Sequence, residues 1–511
     1  MEAFTLFQKM SLLEPAVFVT ATCLILSLTY GLYNLYLHPL APYPGPILYS
    51  AYRLPYVITN IRGKLPFRVL DMHRTYGPVV RIAPNELAFT SPEAWNDIYG
   101  LQSDRVQNPK DEQAYTPGAN NDSRETKGIV NANDVQHARL RRIYGQAFTQ
   151  KAIEGLGDML VKYANLLVEQ LSLAIEKDDV QDLSAWFNYT TFDLTGEFSF
   201  GSAFHCLDSG GKSHFFLDTV LAGVVVGCQI WQLERYKLLT ILQPVLSLFA
   251  GEAIKKQEMM GRYTQKVVDA RLEEGYQVGR KDVLNYLLQN KKEEDQLERA
   301  ELYENALTLV VAGSETTATL LTGVVYYLCR HADVLEKVQK EVRGAFEQGG
   351  EITPASVNEL EYMIAVLAET LRIFPPSGFG FPRLISSKGG QSVAGGWVPE
   401  GTRCSIFHHA AYRYDEYFAR PEDFVPERWL VNAPSEFKND KREVVQPFMV
   451  GPRGCIGKGL AYAEMRILLA KMLWHFDFEL ADAAKQWHES LRAFLIWERT
   501  PLRVRLRKVQ R

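Results

Sequence analysis

The hydrophobic pattern divides the chain before its chemistry is considered. From Ala16 to Leu37 no charged residue occurs, a run close to the ~20 residues that a helix needs to cross the hydrocarbon of a bilayer. Tyr30, Tyr33 and Tyr36 crowd its second half, as aromatic residues of the membrane–water boundary do. A cleaved secretory signal has a shorter apolar core, basic residues ahead of it and a small-residue cleavage site. Here Lys9 alone precedes the run, with Glu2 and Glu14. The expectation is a retained transmembrane anchor over 1–38. Lys9 lies before the span, and Arg53, Arg62 and Lys64 follow it. That bias puts the body of the protein on the cytoplasmic side. Pro39, Pro42, Pro44 and Pro46 come next and predict a stiff, non-helical spacer before one globular domain, 39–511.

Beyond the spacer, Pro78 to Thr90 reads as two short strands around Pro84-Asn85. Ser91-Pro92-Glu93 starts a helix, with Ser as cap and Pro in the first turn. Residues 103–134 are polar and rich in Asn, Asp, Gly and Pro, a long loop of the kind that forms lids. Helical spacing returns from Ala152 to Ile175. The apolar stretch Phe215 to Leu248 predicts helices that roof a cavity and dip into lipid, and the charge run Lys291 to Arg299 a solvated linker. Helical patterns cover 301–330, 333–347 and 355–374, the last beginning at Thr353-Pro354. Strands and turns fill 380–410, with Gly389-Gly390, Gly395-Gly396 and Pro399-Glu400-Gly401 as turns. Lys458 to Phe476 spaces Leu460, Met465, Leu468, Leu469 and Met472 as a helix does. Leu502 to Lys508 alternates apolar and basic residues, an expected edge strand. The sum is a mainly α protein with small β-sheets, an α+β class.

Composition narrows the picture. With 511 residues, 47% hydrophobic and 23% charged, the chain is globular and long enough for one large domain or two smaller ones. A formal net charge of −4 gives no sign of a nucleic-acid partner. Six cysteines, none in a C-x-x-C pair, point to a reducing compartment and not to a disulfide scaffold. The sequons at Asn121 and Asn188 are then expected to stay unglycosylated.

Candidate chemistry concentrates in the second half. Phe448 to Gly457 reads FMVGPRGCIG. Glycines at 451, 454 and 457 let the backbone turn its N–H groups toward Cys455, just before a helix N-terminus. Arg453 adds a positive charge two residues away. Such a site favours a thiolate, and an axial thiolate on haem iron promotes O–O cleavage. In Ala312 to Thr317, AGSETT, Gly313 sits mid-helix at a cost of about 1 kcal/mol relative to Ala. A buried hydroxyl there can bond back to a carbonyl and open the helix locally, leaving a groove for dioxygen beside an acid, Glu315, and an alcohol, Thr316. Glu369 and Arg372 share one helix face, and Pro426-Glu427-Arg428-Trp429 supplies another arginine. His137 and Arg141 stand one turn apart, and Pro382-Arg383 offers a further cation.

Taken together, F-x-x-G-x-R-x-C-x-G, AGSETT, ETLR, PERW and HARLR, in that spacing, resemble the motif set of the cytochrome P-450 family over about 40–500. The wording of GIVNANDVQHARLRRIYGQAF and FMVGPRGCIGKGLAYAEMRILLAKMLW is similar to fungal members that oxidise secondary metabolites. The resemblance implies the P-450 fold, with haem b (iron protoporphyrin IX) between the oxygen-binding helix and the cysteine loop. It implies that Cys455 is the axial iron ligand, with Phe448 packed near the sulfur. Gly313 belongs to the oxygen-binding sequence, and Thr316 and Glu315 supply the protons that O–O cleavage consumes. Arg453, Arg141 and Arg383 meet haem propionates, and His137, which stands where most members have Trp, is a further candidate for binding the haem. Glu369, Arg372 and Arg428 form a buried structural network ahead of the cysteine. The implied activity is monooxygenation of a hydrophobic small molecule, of terpenoid or polyketide type, with O₂. A separate NADPH-dependent flavoprotein reductase delivers the electrons, since no flavin or nicotinamide domain is visible. Microsomal members share the anchor-plus-proline arrangement, which implies contact with membrane lipid and an endoplasmic-reticulum location. Pocket walls are expected from loop 103–134, 215–240, Val310 to Thr317, Ser377 to Phe381 and Phe494-Leu495. Two other functions share the cysteine: a haem-thiolate isomerase, dehydratase or peroxygenase that needs no reductase, and a non-enzymatic haem-binding sensor. Neither has the same use for an intact Glu315-Thr316 pair.

Overall fold

The structure, a computed structural model, describes residues 13–101, 107–111, 128–234, 251–289, 296–481, 484, 486–498 and 500–510. The expected lid, 103–134, therefore falls mostly outside the described residues, as do the second half of the stretch after Phe215 and most of the charged linker at 291–299.

Helix α1, Leu13–Tyr36, contains a span long and apolar enough to cross a membrane, Pro15–Tyr36. Three short helices follow, α2 (Ile47–Ala51), α3 (Leu54–Ile61) and α4 (Leu65–Tyr76). Strands β1 (Val79–Ala83) and β2 (Glu86–Phe89) pair antiparallel around Pro84-Asn85, as the pattern predicts. Helix α5, Pro92–Tyr99, begins after Ser91, although the Ser91 hydroxyl makes no capping bond.

Helix α6, Asp134–Tyr144, starts ahead of His137 because Asn133 caps it, its side chain accepting from Gln136 N at 2.9 Å. The helical stretch from Ala152 is split: α7 (Gln150–Glu154) stops at Gly155, and α8 (Gly157–Ala174) begins two residues later. Strand β3 (Val180–Asp182) leads into α9, Leu183–Phe200, which ends where Gly201 takes a left-handed φ of 72°. Almost every side chain of α9 is buried, Asn188 included at 1% exposure, so its sequon cannot be reached in the folded protein.

Helices α10 (Phe215–Glu234), α11 (Gly251–Glu273) and α12 (Val283–Gln289) precede α13, Arg299–Arg330, the longest element among the described residues. A reciprocal pair of side-chain bonds between Glu298 and Glu301 caps α13. It runs unbroken through the motif AGSETT, so the expected local opening of the helix is absent. Helix α14 (Ala332–Ala345) is followed by a 3₁₀ turn at Ser356–Glu359 and then α15, Glu361–Ile373. The helix expected from Thr353-Pro354 thus begins at Glu361, because Thr353 and Ser356 bond each other in a turn.

Strands β4 (Arg383–Leu384), β5 (Gln391–Val393), β6 (Gly396–Val398) and β7 (Arg403–Ile406) precede a one-turn helix, α16 (His408–Ala411). Helix α17, Lys458–His475, carries the chain to β8 (Phe476–Leu480), and β9 (Arg503–Lys508) closes it. One sheet has the order β1-β2-β7-β4, a second β3-β9-β8, and β5-β6 is a hairpin. The tail strand β9 is therefore central, not an edge. Its alternation is real, with Val504 and Leu506 inward, but alternation reports faces and says nothing of lateral neighbours.

The main core joins α8, α9, α13, α15 and α17 through residues such as Leu167, Phe187, Leu321, Leu371 and Leu468. A second core lies between the four-stranded sheet and α5. The site sits between α13 and the turn before α17.

Candidate functional site

A cavity of about 310 Å³ opens between these elements. One wall is Cys455, Ile456 and Gly457; the facing wall is Ala312, Gly313 and Thr316 of α13. The structure thus brings the two principal motifs, some 140 residues apart in sequence, to one space.

The cysteine loop is held by its own backbone. Cys455 N donates to Phe448 O at 2.8 Å, Gly454 N to Gly451 O at 2.9 Å, and Arg141 to Gly454 O. Met449 and Gly451 both take positive φ, 62° and 74°. Any side chain at Gly451 would collide with Tyr99 O, so glycine is required there. Met449 has no such freedom and carries strain of order 1 kcal/mol or more. The Cys455 sulfur is open to the cavity while dense protein lies behind it. Burial pushes its thiol up, against the pull of the Gly457 and Lys458 amides and the charges of Arg141 and Lys458. The expected depressed thiol is therefore not a property of the protein alone. Desolvation outweighs the helix N-terminus, and a cation bound at the sulfur is what would hold it as thiolate. Phe448 packs against Tyr462, with ring centroids 5.0 Å apart, and also faces the cavity.

Behind the loop lies a fully buried charge network. The Glu369 carboxylate takes Arg372 Nη2 at 2.7 Å and Nε at 2.9 Å, Arg428 Nε at 3.1 Å, Trp429 Nε1 at 2.8 Å and Val425 N at 2.9 Å. Arg428 also pairs with Asp440. Glu369, Arg372 and Arg428 are each 0% exposed. Arg372 Nη1 donates to Tyr412 O at 3.0 Å, and the Tyr412 hydroxyl accepts from Gln446 N at 2.9 Å. Gln446 O in turn accepts from Met449 N at 2.9 Å. A continuous hydrogen-bonded path thus joins the network to the cysteine loop.

A group of cations gathers around Arg453, which lines the cavity. Arg383, 2% exposed, lies with its guanidinium 5.6 Å from the Tyr99 ring centre, and its Nε and Nη1 find no partner among the described residues. Among the described residues Arg453 uses only Nη2, on Ala132 O at 2.8 Å and Asp134 Oδ1 at 2.7 Å; its Nε and Nη1 are buried and find no partner there. The Lys110 backbone forms an antiparallel β-bridge with Arg383, and its Nζ donates to Val130 O at 2.6 Å. Burial, then the Arg383 and Arg453 charges, push Lys110 down to about 6. Burial and the charges of Arg453, Lys110 and Arg141 push His137 down to about 4, so it is neutral. Buried guanidinium nitrogens without acceptors are costly. The carboxylates of a porphyrin would satisfy them, and the thiol and apolar walls suit its iron and its ring. Lys110 escaped the sequence reading because it sits in a polar loop with no motif around it.

On α13, the Thr316 hydroxyl faces the cavity and donates to Ala312 O at 2.8 Å. Glu315 is 2% exposed and is not among the cavity walls. Successive helical residues point about 100° apart, so acid and alcohol do not share the cavity. The acid that does is Glu464 of α17. It is 2% exposed, bonded to Thr317, and burial raises it to about 8. An acid in the apolar stripe beside Met465 was the only sequence signal for it. From α9, Thr195, Phe198 and Ser199 add to the walls. Ser377 and Phe381 line the cavity as expected, whereas neither α10 nor Phe494-Leu495 does among the described residues.

Comparison with known proteins agrees with this arrangement. The sequence model of the family described as Cytochrome P450 matches residues 39–503. An averantin hydroxylase of Dothistroma septosporum is 37% identical over 94% of this chain and 89% of its own length. A cytochrome P450 monooxygenase of Talaromyces stipitatus is 37% identical over 93% and 91%. A trichothecene C-4 hydroxylase of Trichoderma arundinaceum is 36% identical over 93% of each. With its thiol-bearing loop set across a cavity from AGSETT, this chain belongs to the cytochrome P450 family and is a haem-dependent monooxygenase.

Proposed function

We propose that the protein is a membrane-anchored hydroxylase of a bulky apolar secondary metabolite, with 1–38 as the anchor and 39–511 as a single catalytic domain. The observation that carries this reading is the opposition of Cys455 to Gly313 and Thr316 across a cavity whose other walls are mostly apolar. Two relatives are named for hydroxylation of averantin and of C-4 of a trichothecene, and the apolar walls suit substrates of that polyketide or terpenoid kind.

The residues present suit haem b, with Cys455 as iron ligand and Arg383, Arg453 and Arg141 toward its carboxylates. When bound, that group supplies the activation of O₂ and the transfer of one oxygen atom to carbon. The protein does the rest. The walls from Phe148, Phe198, Leu309 and Phe381 exclude water and orient the substrate. The Thr316 hydroxyl, already polarised by Ala312 O, holds a proton at the oxygen-binding face. Glu315 acts from behind the helix, not from within the cavity. A separate NADPH-dependent flavoprotein reductase supplies electrons, and the domain works at the cytoplasmic face of the endoplasmic reticulum, a reading supported by the apolar span of α1 and the basic residues after it.

The test is the reduced, CO-bound spectrum followed by turnover. Haem-loaded protein should absorb at the red-shifted thiolate position and, with a reductase and NADPH, hydroxylate members of a polyketide and terpenoid panel. A histidine-type CO spectrum, or thiolate ligation retained in Cys455→Ala, would overturn the assignment.

A further inference from the structure

The proline-rich segment after α1 predicts a stiff, non-helical spacer, and the sequence does not say what that spacer rests against. The structure packs it onto the globule. Leu40 is 0% exposed, the Tyr43 hydroxyl donates to Trp397 O at 2.6 Å, and Arg81 N donates to Pro44 O at 2.7 Å. Gly45 lies so close to Arg81 O that any side chain would collide with it.

The membrane helix itself is also engaged. Asn34, 2% exposed, donates from Nδ2 to Ala51 O at 2.8 Å, and its backbone carbonyl accepts from Arg81 Nη1 at 2.7 Å. Arg81 is 1% exposed and is fixed from its other side, Nε and Nη2 both donating to Pro84 O. Higher up the helix, the Tyr52 hydroxyl donates to Ser27 O at 2.9 Å. Between these points Gly31 is buried, and a Cβ there would run into the Tyr52 hydroxyl. Ser27, Gly31 and Asn34 follow an i, i+4, i+7 spacing, which is one helix face. The residues on the other faces, such as Phe18, Ile25, Leu28 and Leu32, are exposed and apolar.

Two attachments seven residues apart are about 10 Å apart along the helix axis. A single contact would leave a pivot; two separated contacts fix an angle. The cost of the residues points the same way. A glycine in a helix interior costs about 1 kcal/mol, and a buried asparagine needs partners. Both costs are offset here only by the docking they permit.

Depth follows from the same geometry. Ser27 lies nine residues before Tyr36, roughly 14 Å into the span at 1.5 Å per residue. A domain residue bonded to Ser27 must therefore lie below the headgroup level of a bilayer whose core is about 30 Å thick. Tyr52 joins α2 to α3, and the side chains on that corner are apolar and outward: Ile47 at 71% exposure, Leu48 at 64%, Leu54 at 55% and Ile58 at 41%.

We propose that α1 is a strut and not a tether: Ser27, Gly31 and Asn34 lock it onto Tyr52, Ala51 and Arg81, so that a lipid bilayer holds the catalytic domain at one tilt with the α2–α3 corner sunk among the acyl chains. This rests on the reading of α1 as a membrane anchor.

Full-length, haem-loaded protein in oriented phosphatidylcholine bilayers tests it through linear dichroism of the haem absorption. The parent should show one well-defined haem tilt. Gly31→Leu, which forces Tyr52 off the helix, and Tyr52→Phe, a milder change, should both move the dichroic ratio toward the isotropic value with haem content unchanged. Leu32→Ala on the lipid face should leave it alone. A tryptophan placed by Ile47→Trp should add emission that acyl-chain-brominated lipid quenches. Parent-like dichroism in Gly31→Leu, an isotropic parent, or an unquenched Trp would overturn the strut. Alkaline extraction separates the two readings: release of the parent from the bilayer removes the anchor itself, whereas retention with loose tilt removes only the lock.

Discussion

Thr195 of α9 occupies the space into which any side chain on Gly313 of α13 would project. A Cβ there would lie 2.9 Å from Thr195 Cγ2 and 3.0 Å from its Oγ1. Glycine in the oxygen-binding motif thus serves the approach of a neighbouring helix as well as the cavity. Thr195 is held in place, donating to Thr191 O at 2.6 Å, while Thr191 donates to Ser314 O at 2.9 Å.

Gly313→Ala should therefore destabilise, even though alanine is the better helix former by about 1 kcal/mol. Overpacking where two helices touch costs roughly 1–3 kcal/mol, and the expected net loss is about 1 kcal/mol. Adding Thr195→Ala leaves only Thr195 Cβ at 3.6 Å and should restore most of it. Thermal unfolding of the four proteins in a double-mutant cycle checks the coupling; strictly additive effects would dissolve it.

The charge network and the cysteine loop should fail in different ways. Glu369→Ala leaves Arg372 and Arg428 buried without their shared carboxylate, a loss of roughly 3–5 kcal/mol. Little folded, haem-loaded protein should be recovered. Tyr412→Phe keeps the network but removes the acceptor for the half-buried Gln446 N, at about 1 kcal/mol. That variant should fold, bind haem and convert faster from the thiolate-type to the histidine-type CO spectrum. Equal decay rates in Tyr412→Phe and the parent would mean that the path through Tyr412 does not support the loop.

These two sites also show where sequence is a sufficient guide. Cys455, Arg453 and Phe448 lie in one ten-residue run, and Glu369 with Arg372 in four residues; local spacing carries such motifs, and the structure brings them together. Asp440, Lys110, Thr195 and Glu464 join them only through folding, from a loop, a second loop and two helices, with no local pattern of their own. The docked spacer escaped for a related reason. Prolines set backbone direction but do not say what Leu40 and Tyr43 will rest against. The break at Gly155 and the late start of α15 at Glu361 were decided by single turns, below what helical periodicity can resolve.

Thr316 and Glu315 should separate in kinetics. Thr316 faces the cavity and Glu315 does not. Thr316→Ala should keep haem and the thiolate spectrum but lose product per NADPH roughly tenfold, with the electrons leaving as peroxide, since a positioned proton donor contributes about 10²–10⁴-fold. Glu315→Gln should lower the rate with less loss of coupling. Peroxide and product measured against NADPH consumed decide it; tight coupling in Thr316→Ala would remove that hydroxyl from the proton path.

Glu464 makes the last prediction, through pH. Its folded-state value lies at about 8, well above the 4.5 of the free side chain, because burial opposes the charge. Between pH 4.5 and 8 the unfolded chain has released this proton and the folded protein still holds it. The unfolded state therefore binds fewer protons, and stability contributed by this group falls as pH rises through that window. The slope approaches about 1.4 kcal/mol per pH unit in its middle. Glu464→Gln keeps the shape and the bond to Thr317 without titrating, so the variant should match the parent near pH 5 and exceed it near pH 8. Thermal midpoints of both haem-loaded proteins at the two pH values give the comparison. A parent whose excess loss on going to pH 8 is zero would mean that Glu464 is already ionised in the fold, and that the cavity does not keep a neutral acid in its α17 wall.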